Sequence, residues 1–235
     1  ENLMKKLITI LFASLFSFSV AHSEGVIVGV TGSYADVAAS GSEVDKSGAA
    51  DTSLRTADVD NQVFIGSLYA EYMLGYGWAN EDNGVTVGLE YLPFTANVSD
   101  KAFTRTDTTS DANEDTQDDG DRTAQAEIEN LMIGYVELPV SGPLYVRAGF
   151  AQMDVNTKES STISTTSTYG NKTLDGVNLG IGVKSTMANG LAWKLAYEQT
   201  DFDTLAIDSS QTDKGNKISA DLDVTELSFS VGYQF

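Results

Sequence analysis

Apolar and small polar residues alternate with period two along most of the chain, the pattern of strands that show one greasy face and one polar face. Val26, Val28, Val30 and Tyr34 alternate with Gly29, Thr31 and Ser33, and Phe64, Leu68, Ala70 and Tyr72 alternate with Ser67, Tyr69 and Glu71. Val85, Val87, Leu89 and Tyr91 oppose Thr86, Gly88 and Glu90. A fourth segment, about 126–138, is apolar on both faces at Leu131-Met132-Ile133. It is assigned Ile128, Met132, Val136 and Leu138 outside and Glu127, Glu129 and Glu137 inside. Four more segments follow: Leu144, Val146, Ala148 and Phe150; Val177, Leu179, Ile181 and Val183; Leu191, Trp193, Leu195 and Tyr197; and Leu227, Phe229, Val231, Tyr233 and Phe235, each interleaved with polar or glycine positions. No stretch beyond the first residues sustains a helical apolar period, so the chain reads as all-β with eight candidate strands.

A sandwich also alternates, so the connections decide the architecture. Short links (Gly75 to Asn83, Pro139 to Pro143, Thr186 to Gly190) take turns with long polar ones (Asp36 to Asn61, Ser99 to Thr123, Asp154 to Asp175, Asp203 to Asp223). An antiparallel up-and-down barrel threaded through a membrane sorts its connections in this way, long on one side and short on the other. A membrane strand needs about 9 to 11 tilted residues, which each segment can supply. Closure leaves no unpaired edge in lipid. The polar faces then point inward, where Gly29, Gly88, Gly149, Gly180, Gly182 and Gly232 leave little side-chain volume.

Glu71, Glu90, Glu137, Arg147, Lys184 and Lys194 fall on inward positions in the half nearer the short turns. A narrow lumen needs its charges countered, so these three acids and three bases are expected to form one interior layer. Glu198 and Glu226, nearer the long connections, have no obvious basic partner. Outward aromatics fall at two levels, Tyr72, Trp193, Tyr233 and Phe235 near the short turns and Tyr34, Phe64, Phe150 and Tyr197 near the other side, as interfacial girdles would.

Composition narrows the chemistry. The chain of 235 residues has no Cys and one His, which excludes thiolate metal sites, disulfides and most imidazole chemistry. A formal charge of −20 argues against nucleic acid as a partner. No catalytic, cofactor-binding or metal constellation emerges. Met4-Lys5-Lys6, the apolar run Leu7 to Val20 and Ala21-His22-Ser23 have the order of a secretory signal peptide, too short for a spanning helix. Residues 1–23 are therefore expected to be a leader with Met4 as the start, cut after Ala21 or Ser23. Residues 24–235 are expected to be the barrel.

The connection after the third strand carries Asp111-Ala112-Asn113-Glu114-Asp115-Thr116-Gln117-Asp118-Asp119-Gly120-Asp121. Asp111, Asn113 and Asp115 have calcium-loop spacing, but Thr116 and Arg122 stand where that loop needs Gly and Glu. A solvated, self-repelling loop and a loose divalent-cation site remain the two readings.

The final strand, Glu226 to Phe235, with Leu227, Phe229, Val231, Tyr233 and a terminal Phe235 in alternation, resembles the closing strand of bacterial outer-membrane proteins. The chain as a whole is similar to the small eight-stranded barrels of the OmpA transmembrane-domain, OmpX and opacity type. That resemblance implies a Gram-negative outer membrane, contact with its lipid and lipopolysaccharide, and recognition of the terminal strand by the barrel-assembly machinery. Barrel enzymes of that membrane share a catalytic His, which residues 24–235 lack. The expectation is a non-enzymatic envelope protein displaying acidic loops whose ligand is unspecified, with a narrow porin-like channel for ions or small solutes as the alternative.

Overall fold

The computed structural model describes residues 25–45, 53–80, 83–98, 102–110, 117–162, 168–210 and 216–235. The expected leader at 1–23 and positions 111–116 of the acidic run lie outside the described residues. Eleven strands are present among those described: β1 (Val26–Asp45), β2 (Ser53–Asn80), β3 (Asn83–Tyr91), β4 (Ala96–Asn97), β5 (Phe103–Ser110), β6 (Gln117–Ser141), β7 (Leu144–Ser161), β8 (Lys172–Thr186), β9 (Leu191–Phe202), β10 (Leu205–Asp208) and β11 (Lys217–Gln234). Eight of them, in the order β1-β2-β3-β6-β7-β8-β9-β11, pair antiparallel, and β11 pairs back onto β1 to close the ring. The closing seam is long, running in register from Ile27↔Gln234 to Val44↔Lys217. β4 and β5 lie against β6, and β10 against β11.

The stretches expected as long connections are largely strand. β1 continues to Asp45 and β2 begins at Ser53, so most of 36–61 is a paired hairpin. The period of two does not stop at the upper aromatic level; its polarity inverts. Below that level outward Val28, Val30, Phe64, Leu68, Phe150, Tyr197 and Leu227 are exposed, while inward Thr31, Ser33, Ser67, Glu71, Arg147, Glu198 and Ser228 are buried. Above it the outward positions are Asp36, Asp58, Asp60, Asp154, Asp175, Asp201, Asp221 and Asp223, and the inward ones are Val37, Met153, Val155, Leu174, Phe202, Leu222 and Val224. The lower part is built for a solvent of hydrocarbon and the upper part for a solvent of water, with one continuous set of hydrogen-bonded strands serving both.

The fourth segment corrects the expected phase. β6 carries an extra residue between Glu129 and Met132, opposite Asp154 and Gln152 of β7, and Asn130 takes φ 54° there. This bulge shifts the faces by one. Ile128 therefore points inward and is buried, while Glu127 and Glu129 lie on the outward face, Glu127 2.9 Å from exposed Lys158. Beyond the bulge Tyr135 and Glu137 return to the inside.

Candidate functional site

The inward faces of the lower barrel converge on a single charged layer. Antiparallel register places Thr86 opposite Glu137 and Glu137 opposite Arg147, so neighbouring strands deliver opposite charges at one height. Lys194 of β9 reaches across the lumen to Glu71 of β2 and, at 3.2 Å, to Glu137 of β6. Lys184 of β8 donates to the other Glu137 oxygen at 2.7 Å and to Thr86 Oγ1 at 2.9 Å. Arg147 of β7 spans in the other direction, with Nη1 3.0 Å from Glu198 of β9 and Nη2 2.9 Å from Glu90 of β3. The six charged residues expected as an interior cluster, Glu71, Glu90, Glu137, Arg147, Lys184 and Lys194, are thus brought together, and their ion pairs tie six strands of the ring.

Glu198 departs from expectation: it is buried and bound by Arg147, with Asn178 Nδ2 donating to its second oxygen at 3.3 Å. Glu226 faces Ser33 and borders a small void of about 30 Å³, large enough to hold water, alongside Glu90 and Thr200. The layer therefore holds five acids and three cations rather than a matched three and three.

Glycine and tyrosine fill the remaining space. Tyr69 lies directly opposite Gly29, Tyr135 opposite both Gly88 and Gly149, and Tyr145 opposite Gly182. A Cβ on Gly88 would run into the Tyr135 ring, and one on Gly29 into Tyr69. The missing side chains are the sockets in which the rings lie. Tyr135 Oη donates to Glu71 at 2.6 Å, and the Arg147 guanidinium sits 3.7 Å from the centroid of the Tyr135 ring. Lys194 Nζ lies 4.4 Å from the Tyr69 centroid.

Above this layer the lumen changes character. Met153, Ile133, Phe202 and Val224 pack into an apolar floor. Over it opens a cavity of about 280 Å³ walled by residues such as Ala39, Val59, Val155, Leu174, Ile207 and Leu222. Sequence reasoning missed this chamber, because its walls lie in stretches taken for connections; the signal was the Asp-Val-Asp and Asp-Leu-Asp alternation at 58–60 and 221–223. Across its upper end Tyr169 Oη and Asn216 Nδ2 both donate to Glu43 Oε1, at 2.9 and 2.8 Å. Glu159, also at this end, accepts from the Tyr169 amide, and partial burial raises its carboxyl above the ordinary glutamate range.

The residues of the terminal strand expected as an assembly signal, Leu227, Phe229, Val231, Tyr233 and Phe235, all face outward and are exposed. Tyr233 and Phe235 meet edge to face at 5.2 Å. At the other girdle Tyr34 and Phe64 meet at 5.1 Å. Among the described residues no group of three acids or imidazoles converges as a metal site.

Over residues 8–235 the sequence matches the family described as outer membrane protein beta-barrel domain. The chain belongs to that family, and it is an outer-membrane β-barrel protein. Curated proteins offer no match. Among solved structures it is similar to the Neisserial surface protein A, at 13% identity over 90% of this chain and 97% of that one, with a TM-score of 0.36. It is also similar to Ail, the attachment invasion locus protein of Yersinia pestis, at 12% identity over 87% and 99% with a TM-score of 0.31. A FadL homologue of Pseudomonas aeruginosa matches at 10% identity over 90% and 91%, with a TM-score of 0.37.

Proposed function

We propose that this protein is a non-enzymatic barrel of the Gram-negative outer membrane whose interior is closed and whose work is envelope integrity and surface display. The observation that carries the reading is the charged layer, in which Arg147 and Lys194 each bind carboxylates on two different strands across the lumen. Paired charges in a poorly hydrated space hold one another in place, since separating them leaves each uncompensated. With the tyrosines seated on glycine, the layer acts as a plug rather than a selectivity ring, which argues against the narrow-channel alternative. The outward carboxylates of the upper barrel present negative charge to the surroundings, with lipid and lipopolysaccharide as neighbours below them. Export through the 1–23 leader and delivery by the barrel-assembly machinery through Phe235 belong to the same reading.

Ion flux from liposomes tests it. Purified barrel that shows heat-modifiable migration, and is therefore folded, is expected to leave a trapped-salt gradient intact for as long as protein-free liposomes do. Collapse of the gradient in proportion to inserted barrel would overturn the reading.

A further inference from the structure

We infer that the chamber above the charged layer is a binding site for a small, uncharged apolar molecule with the bulk of a one- or two-ring hydrocarbon, admitted from the side of the long connections. The inference deepens the closed-barrel reading, since the chamber is a dead end only if the layer beneath it is sealed.

The upper barrel stands in water and needs an apolar core to fold, and its lower part has one, packed around Met153, Phe202 and Val224. Higher up, six of the inward positions carry only Ala or Gly: Ala39, Gly41, Ala57, Ala124, Ala126 and Ala220. A core selected only for stability would place larger side chains there, because unfilled apolar space forfeits both dispersion contacts and burial. The space left is about 280 Å³. An apolar cavity of about 150 Å³ stays dry and takes up benzene, so this one has room for a second ring or a short branched chain. Leu174, Val155, Ile207 and Leu222 supply apolar walls from four strands, as ligand pockets generally do.

Charge sets the ligand class. Among the described residues the lining is mostly apolar; Glu159 stands at its upper end near Arg122, and the side chain of Asp221 points outward. A carboxylate or sulfonate would have to pass Glu159 and shed its water among alanines and valines, and an ammonium would lose its water there as well. Neutral ligands escape both costs. The Tyr169–Glu43–Asn216 bonds tie the segments before β8 and β11 to β1 at the chamber's upper end and so fix the position of those walls.

The test uses the full barrel in lipid nanodiscs, with Ile, Leu and Val methyls labelled, titrated with 1-fluoronaphthalene and followed by methyl and fluorine NMR. Saturable shifts at Val59, Val155, Leu174, Ile207 and Leu222 are expected, while lipid-facing Leu195 and Ile181 drift linearly with partitioning. The filled variant Ala57→Phe/Ala220→Phe is expected to bind at least tenfold more weakly. If that variant does not fold, the wild-type methyl map decides alone. 1-Naphthalenesulfonate is expected to compete at least tenfold less well than naphthalene. Linear shifts everywhere, equal to those in empty nanodiscs, overturn the site. Conductance of the same preparation separates the two readings: a silent barrel with no saturable binding removes the chamber alone, whereas a conducting barrel that still binds removes the closed interior and leaves the site standing.

Discussion

Arg147 is the residue on which most of the interior depends, because one guanidinium neutralises Glu90 and Glu198 from opposite sides and stacks on Tyr135. Arg147→Met keeps the bulk and removes the ion-pair partner of buried Glu198 and half-buried Glu90. Breaking a buried pair in this way costs about 3–5 kcal/mol, so the urea midpoint of the folded barrel is expected to fall sharply. Glu226→Gln should move the midpoint little or upward, because it removes an acid that takes no part in these ion pairs from a layer already rich in acid. Gly88→Val is expected to displace Tyr135 from its socket and weaken its bond to Glu71, lowering stability by the roughly 1–3 kcal/mol typical of overpacking and the urea midpoint with it. The inward positions of Glu71, Glu90, Glu137, Arg147, Lys184, Lys194, Glu198 and Glu226 are legible in the sequence from the period of two, whereas those of Glu127 and Glu129 are misread because the bulge in β6 reverses their phase. The partner of Glu198 is not legible: Arg147 sits two strands away in the ring, and its reach depends on barrel curvature and stagger, which a one-dimensional pattern does not contain.

At the scale of elements, the bulge in β6 reconciles two patterns that conflict along one strand. Without the extra residue, Ile128 would face outward with Glu127 and Glu129 inside, as the uninterrupted period implies. Asn130 makes the shift by adopting a left-handed conformation that few side chains tolerate, and its amide donates to Asp154 at 3.1 Å. Asn130→Gly is expected to leave stability within about 1 kcal/mol, and Asn130→Val to cost roughly 1–2 kcal/mol or more from the backbone alone, read again as urea midpoints. The upper halves of β1, β2 and β11 were hidden for a different reason. Sequence reading treats acidic outward positions as connection, although alternate residues such as Val37, Val59 and Leu222 keep strand period. Polarity had inverted while geometry continued.

For the whole molecule, the inversion explains how a chain of formal charge −20 resides in a membrane. Its apolar outward belt, from the Tyr233–Phe235 level to the Tyr34–Phe64 level, is short, and most of the described carboxylates stand above it or within the lumen. Pairing within the ring leaves no open strand edge in lipid, so unfolding is expected to be cooperative and to show as a change in gel migration on boiling. The barrel architecture is legible from alternation and the sorting of connections. The apolar chamber is not, because a cavity is a property of what side chains fail to fill. The claim that the charged layer seals the lumen is tested most directly by planar-bilayer recording of single, correctly folded barrels, wild type beside Arg147→Ala/Lys194→Ala. The account predicts a silent wild type and transient openings in any folded double variant. Stable, reproducible openings from the wild type would contradict it.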